Sequence, residues 1–371
     1  MNPSSKKKAI IFSTVHRWND TRILKKQATS LAKWYDVTLY IPASFKWKDY
    51  SGIHIIGLPR WKMKFTRLFT QISLLKVLLK SDGDIFHFHD PELILSGVII
   101  KLHKKKPVIY DKHENIPFGL IGNSHQRFGL GSFILWIFRK LDAFAMHNLD
   151  KVVLAEHSYS HVIHENYIEI LNYPFIPDSK HPVTKEYTAI YVGGVTIERG
   201  ILDIIEIAQL VKKEDPSFRF RIIGPIMDNS EEIIAQRIHY HGLTEHIILS
   251  PYLPYEEAME EVRKSKFGFA LLHPDKNYVE SLPQKIFEYM SLGVPFIASN
   301  FPYWKLHLKG NDLGYFVTFN DYKSIVNILI ENRRNYMFNS TELISFVATH
   351  FNWFSEEQKL KKLYANLTYS N

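Results

Sequence analysis

The sequence predicts an α/β protein built on two parallel sheets, and three observations carry that expectation. Short apolar runs alternate with helix-period segments along the 371 residues, the pattern of strands joined by crossover helices. The alternation stops once, at "ILNYPFIPDSKHP" (170–182), a proline-rich polar stretch that reads as a linker. A content of 46% hydrophobic and 14% aromatic residues is enough to fill two cores. Two Rossmann-like halves facing each other are therefore expected, with ligands beyond the carboxyl ends of the strands.

In chain order, "KAIIFSTV" is the first strand, a helical pattern runs from Arg22 to Lys33, and "YDVTLYIP" is the next strand. "DIFHFHD", a helix from Glu92 and "KPVIYDKHE" repeat the unit. Two further segments, Arg60 to Lys80 and Gly129 to Phe138, fit either core-facing helices or interfacial ones, and both fall short of the ~20 apolar residues of a membrane span. After the linker come "YTAIYVGGV", a helix from Gly200 to Lys213, "FRFRIIGPI", a helix from Glu231 to His241, "HIILSPYL", a helix from Tyr255 to Lys264 and "FGFALLHP". The stretch "NYVESLPQKIFEYMSLGVPFIASN" (277–300) reads as loop, helix and strand. Ser281 is expected to cap the helix, Gln284 to close a capping box, Pro283 to sit in the first turn and Gly293 to end it, with Ile286, Phe287 and Met290 as the buried stripe.

The charge is unevenly placed. Residues 1–180 carry 26 Lys and Arg against 15 Asp and Glu, a net +11, and residues 181–371 carry 20 against 23, a net −3. The basic first half suits an anionic membrane surface or an acidic substrate, with Arg60, Lys62, Lys64 and Arg67 as the expected lipid contacts. Nucleic acid is disfavoured, because the cations are scattered and no binding motif is present. No cysteine is present, which excludes disulfides and thiolate chemistry, and the first apolar run is too short for a signal peptide, so a cytoplasmic location is expected.

Candidate site residues collect at strand ends. Gly193 and Gly194 follow a strand, with Arg199 and Gly200 at the next helix start, so backbone and a guanidinium can approach a phosphate. Glu280 and Glu288 lie eight residues apart, one just before a helix N-terminus and one two turns inside. A sugar nucleotide suits that spacing, its diphosphate at the helix terminus and its hydroxyls on the carboxylates. The alternative is a solvated loop charge and a surface helix residue. His87, His89 and Asp90 follow one strand; Asp111, His113 and Glu114 follow another. A metal is not expected there, because the two histidines of H-x-H point to opposite faces of a strand. His113 is instead expected to supply a hydrogen bond or a proton in the cleft between the halves.

Taken together, "VHRWNDTRILKKQATSLAKWYDVTLY", "DIFHFHDPELILSG", "PVIYDKHENIP", "YVGGVTIERGILDIIEIA", "SLPQKIFEYMSLGVPFIASNFPYW" and the terminal "FNWFSEEQKLKKLYANL" resemble the retaining glycosyltransferases of family four. The resemblance covers nearly the whole chain. It implies the GT-B architecture: an acceptor domain (1–172), a nucleotide-sugar domain (173–351) and a terminal helix (352–371) crossing back to the first domain. Glu280 and Glu288 then match the family's E-x7-E signature, holding donor sugar and ribose. His113 would lie at the reaction centre beside Glu280, and Arg199, Ser281 and the Gly193–Gly194 turn would meet the diphosphate. Where relatives carry an Arg after the first glycine this chain has Gly194, and Lys285 is the candidate replacement. His16, Asp20 and Arg22 would line the acceptor side; alternatively Asp20 caps the following helix with Arg22 in its first turn.

The implied activity is transfer of a sugar, from a UDP-sugar or else a GDP-sugar, to a hydroxyl of a glycan with retention. The acceptor would be lipid-linked, in cell-surface polysaccharide synthesis at the inner face of the membrane. No metal or other cofactor is implied. A sugar-nucleotide epimerase of the same architecture would act on donor alone, and a noncatalytic partner of another transferase would bind donor without turnover.

Overall fold

Strands β5 (Ile85–Phe88), β6 (Val108–Lys112), β10 (Phe220–Ile223) and β13 (Phe296–Ser299) are buried along their whole length, as parallel strands covered by helices on both faces must be. The computed structural model describes residues 6–60, 64–112, 130–157, 165–177, 183–308, 313–334 and 336–369. They form two compact units, one of residues 1–172 with 353–371 and one of residues 173–352.

In the first unit, β1 (Lys8–Phe12), β2 (Asp36–Pro42), β3 (Trp47–Tyr50), β4 (Ile53–Leu58), β5, β6, β7 (Lys151–Leu154) and β8 (Tyr167–Glu169) form one sheet in the order β3-β4-β2-β1-β5-β6-β7-β8. Every pairing is parallel except β3 with β4. That hairpin, turned at Ser51 and Gly52 in the left-handed region (φ 50 and 78°), was not anticipated from the sequence. Helices α1 (Lys64–Lys80), α2 (Ile94–Lys104) and α3 (Leu130–Asn148) connect the later strands. The expected helix after β1 takes another form: Thr21–Ala28 is a π-helix, continued by a short α-helical turn at Thr29–Leu31. Its wider coil brings Arg22, Lys26 and Gln27 into the interior, where all three are buried.

The second unit is wholly parallel. Its strands β9 (Tyr187–Val192), β10, β11 (Ile247–Ser250), β12 (Ser265–Ala270), β13 and β14 (Gly314–Val317) run in the order β11-β10-β9-β12-β13-β14. Helices α4 (Ile201–Glu214), α5 (Glu231–Tyr240), α6 (Tyr255–Arg263), α7 (Gln284–Ser291), α8 (Tyr322–Arg334) and α9 (Ser340–His350) accompany them. Ile204, Ile207, Phe220 and Phe267 centre one core. The strand order reverses between β9 and β12, so the crevice beyond their carboxyl ends is the natural ligand position.

The last helix, α10 (Trp353–Tyr369), returns to the first unit, as expected of the fold. Trp353, Leu360, Leu363 and Tyr364 are buried among Ala9, Leu39 and Ile85, with Leu367 at the margin. Polar contacts fix the packing: Trp353 Nε1 donates to Ser30 Oγ at 2.9 Å, the Leu171 N–H donates to Glu356 Oε2 at 2.8 Å, and Tyr364 Oη lies 2.9 Å from His87 Nδ1. Leu360→Ala is expected to cost about 2–5 kcal/mol, as a cavity in a core does. Hydrogen exchange should show the loss in β1 and β5 with protection in β9 unchanged; equal loss in both sheets would contradict the assignment of α10 to one core.

Candidate functional site

Beyond β9 the chain turns at Gly193, whose φ of +130° disfavours any side chain. The Gly193 N–H donates to the Ile223 carbonyl at 2.9 Å, so the turn offers a ligand its bare surface rather than that donor. Gly200, at φ +83°, starts α4; a Cβ there would stand 2.0 Å from the Leu271 carbonyl oxygen. Arg199 is thus carried between two backbone positions that require glycine. Its Nε donates to Tyr278 Oη at 3.2 Å and its Nη1 to the Gly194 carbonyl at 3.4 Å, which aims the guanidinium along the turn. A Cβ at Gly194 would stand 3.0 Å from Arg199 Nη1 and 2.4 Å from Met227 Sδ, both ends of flexible side chains that could move aside, so the backbone itself does not require glycine here.

Helix α7 corrects the expected capping box. It begins at Gln284 with Pro283 as N-cap and no side-chain cap bond. Ser281 belongs to the preceding loop, where its carbonyl accepts from Trp304 Nε1 at 2.6 Å; the same indole lies 3.0 Å from the Tyr278 carbonyl. Trp304, itself fully buried, therefore braces the short helix Lys276–Val279 that carries Tyr278 and the loop after it that carries the exposed Glu280. Gly293 ends the helix at φ +70°, where the Val294 N–H reaches back to the Tyr289 carbonyl at 3.0 Å, as expected.

The buried surface of α7 is wider than its apolar stripe. Ile286, Phe287 and Met290 are buried, and so is Glu288, at 9% exposure, which excludes the surface-residue alternative. Gln284 Nε2 donates to Glu288 Oε1 at 3.3 Å, and the Tyr255 hydroxyl at the start of α6 also bonds to this carboxylate. Burial, then Glu288, pushes the Tyr255 hydroxyl pKa up, so it stays a donor. Directly after Gln284, Lys285 is half-buried as a residue but its Nζ is shielded, with no hydrogen-bond partner among the described residues. The ammonium sits 3.6 Å from the centroid of the Tyr191 ring and 3.5 Å from where a Gly193 Cβ would be. Burial, and then the Arg199 charge, drives its pKa well below the usual range of lysine. Arg199, Lys285, the glycine turn and the fixed Glu288 carboxylate thus gather beyond the strand ends of the second unit. Tyr191, Tyr255, Tyr278 and Trp304 were not singled out in the sequence, because nothing local marks which tyrosine stands beside which charge.

The first unit uses its polar residues differently. Asp20 Oδ1 accepts from the Ile23 N–H at 2.9 Å, so Asp20 does cap the π-helix. His16 lies 3.4 Å from Asp20 Oδ2 and 3.7 Å from Asp90 Oδ1. Arg22 departs from the acceptor-side expectation: it points inward, Nε and Nη2 on the two oxygens of Asp111 at 3.0 and 2.8 Å and Nη2 on the Ile170 carbonyl at 2.9 Å. His113 lies outside the described residues.

The argument against a metal also needs correction. β5 ends at Phe88, so His89 escapes the alternation, and the rings of His87 and His89 stack at 4.9 Å. Ligand atoms of His87, His89 and Asp111 lie within 4.8 Å of one another. Their setting nonetheless fits a cation poorly, since Arg22 grips both oxygens of Asp111 and Gln27 Nε2 donates to one of them at 2.5 Å.

The pair of mostly parallel sheets defines the chain as having the fold of GT-B glycosyltransferases. Residues 173–336, almost the whole second unit, match the family model described as glycosyl transferases group 1. Among solved structures, HepE of Anabaena, in complex with UDP and glucose, superposes with a TM-score of 0.72 at 12% identity, covering 97% of this chain and 100% of that one. Sucrose-phosphate synthase of Thermosynechococcus elongatus gives 0.74 at 14% identity, covering 99% and 100%. A glycosyltransferase of Rickettsia africae gives 0.68 at 12%, covering 98% of each chain. Curated protein sequences yield no match.

The depressed pKa of Lys285 has a testable sign. The unfolded chain holds this proton up to ~10.4 while the folded chain releases it sooner, so stability should rise with pH across that window. Lys285→Met should stabilise the second unit at neutral pH and flatten its stability between neutral and alkaline pH. Urea titrations at several pH values check this, and a destabilising Lys285→Met at neutral pH would contradict it.

Proposed function

We propose that the protein is a glycosyltransferase that moves a sugar from a nucleotide diphosphate, UDP in preference to GDP, to a hydroxyl of a glycan acceptor. The observation that carries this reading is the shielded Lys285 ammonium, unpartnered among the described residues and set against the Gly193 turn beside Arg199. Burial and the Arg199 charge disfavour a proton on Lys285 more than Glu288 favours it, so the pair would be stabilised by an added anion. A diphosphate fits, because its charge grows as the sugar leaves and fixed cations then stabilise the transition state more than the ground state. The match of residues 173–336 to group 1 glycosyl transferases and the UDP bound by the fold relative HepE support the same ligand class.

Glu288, held by Gln284 and Tyr255, is suited to accept from the ribose hydroxyls, and Glu280, exposed on the Trp304-braced loop, from the donor sugar. His113 keeps its proposed place at the reacting carbon. Arg199 and Lys285 take over neutralisation of the leaving diphosphate, so the proposed reaction is metal-independent, with retention at the anomeric carbon. A lipid-linked acceptor of cell-surface polysaccharide synthesis belongs to the same proposal, in keeping with the basic first half.

Calorimetry with UDP tests the site directly. Binding should be accompanied by proton uptake, seen as an enthalpy that depends on the buffer, because the diphosphate raises the Lys285 pKa; Lys285→Met should lose that dependence. Glu288→Gln should weaken UDP by about 1.5–3 kcal/mol, the worth of a charge-assisted hydrogen bond. Unchanged UDP affinity in Glu288→Gln would remove the ribose assignment, and no binding of any nucleoside diphosphate by the wild type would remove the reading itself.

A further inference from the structure

Three neighbouring helices of the first unit carry a second apolar stripe on the side away from the sheet. Helix α1 buries Leu74 and Leu78 yet exposes Phe69 and Ile72; α2 buries Ile94 and Val98 yet exposes Leu95 and Leu102; α3 buries Ala145 yet exposes Trp136 and Phe144. The exposed positions recur at helical spacing, 69 with 72, 95 with 102 and 136 with 144, so each helix presents its own to one outward face. Phe69 is 70% exposed, Leu102 72% and Trp136 55%, far from the single marginal contacts of an ordinary surface. Helix α2 packs against both α1 and α3, which places the three lines on adjoining elements.

The charge on the same helices has one sign. They carry four, two and two Lys or Arg, eight in all, against one acid, Asp142. Lys76, Lys80 and Lys140 are exposed, and Lys140 reaches over the Trp136 ring at 5.9 Å. Interfaces between proteins are depleted in lysine, whereas a bilayer surface attracts lysine through its phosphates and accepts Trp and Phe at the headgroup boundary. Among the described residues no helix is long and apolar enough to cross a membrane.

We propose that the outward face of α1, α2 and α3 docks on an anionic phospholipid membrane, with Phe69, Leu102 and Trp136 entering the headgroup boundary and Lys76, Lys80 and Lys140 meeting phosphates. This differs from the cations singled out in the sequence: Lys62 lies outside the described residues, and Arg67 is engaged by Glu92 at 3.7 Å. The proposal stands apart from the transferase reading, because lipid binding is measured without donor or acceptor.

The full chain is sedimented with phosphatidylcholine vesicles with and without phosphatidylglycerol. The wild type should pellet with the anionic vesicles and be released as salt rises. Replacing Lys76, Lys80 and Lys140 by Gln should lower partitioning about fivefold per lysine, about a hundredfold in all. The Phe69→Ser, Leu102→Ser, Trp136→Ser variant should stay in solution while melting and binding UDP as the wild type does. Wild type that ignores anionic vesicles, or a triple apolar variant that still pellets, overturns the proposal. So does a wild-type dimer that the apolar variant dissolves while neither protein pellets, for the face would then cover a second copy.

Discussion

Each unit is organised by the point at which its strand order reverses, between β1 and β5 in the first and between β9 and β12 in the second. Helices leave such a point in opposite directions, so a crevice opens beyond the strand ends and polar side chains gather without having to cross a packed layer. The two units treat that crevice in opposite ways. The first closes it with its own charges: Asp90, after β5, is bonded by the Ser13 and Thr14 hydroxyls that follow β1, both at 3.1 Å, and Arg22 pairs with Asp111 one strand further on. The second lines it with the cations Arg199 and Lys285 and a glycine turn.

The Arg22–Asp111 pair illustrates how much a buried charge can organise. Both residues are almost fully buried, and the carboxylate is bonded twice by the guanidinium and once by Gln27. The same guanidinium holds the Ile170 carbonyl just before the boundary of the unit, and the adjoining His87 ring meets Tyr364 of α10. The π-helix is part of this arrangement, since its wider turn presents Arg22, Lys26 and Gln27 to the interior together, and Lys26 bonds Asn172 Oδ1 at 2.7 Å. Removing one partner would strand the other charge, which costs far more than the pair contributes over an apolar isostere.

In the second unit desolvation sets the chemistry. The Tyr191 ring and the Gly193 turn shield Lys285 from water, and burial together with the Arg199 charge lowers its pKa well below the usual range of lysine. Glu288 is the counterpart, a buried carboxylate whose rotamer is held by neutral donors from its own helix and from α6. The aromatic rings around the crevice thus act on charge, through shielding and hydrogen bonding, as much as on packing.

The α/β class, the order of most elements and the Gly293 stop were legible in the sequence, because apolar period and glycine placement report locally which side faces inward and where the chain turns, while the return of the last helix to the first unit was implied by the family resemblance. The β3–β4 hairpin escaped notice because "WKDY" is a short edge strand, exposed along nearly its whole length, and Ser281 passed for a cap because residue type alone cannot reveal that its carbonyl is claimed by Trp304. Gly193, Arg199 and Glu288 drew attention by their places at strand and helix ends, whereas Lys285 was singled out only through the family resemblance. Only the tertiary structure decided that Glu288 is buried, that Lys285 is stripped of water and that Arg22 belongs to Asp111, 89 residues away. Sequence carries the periodicity that folds each strand and helix, but the environment of a charge depends on distant side chains brought alongside it, and that environment determines what the charge can bind.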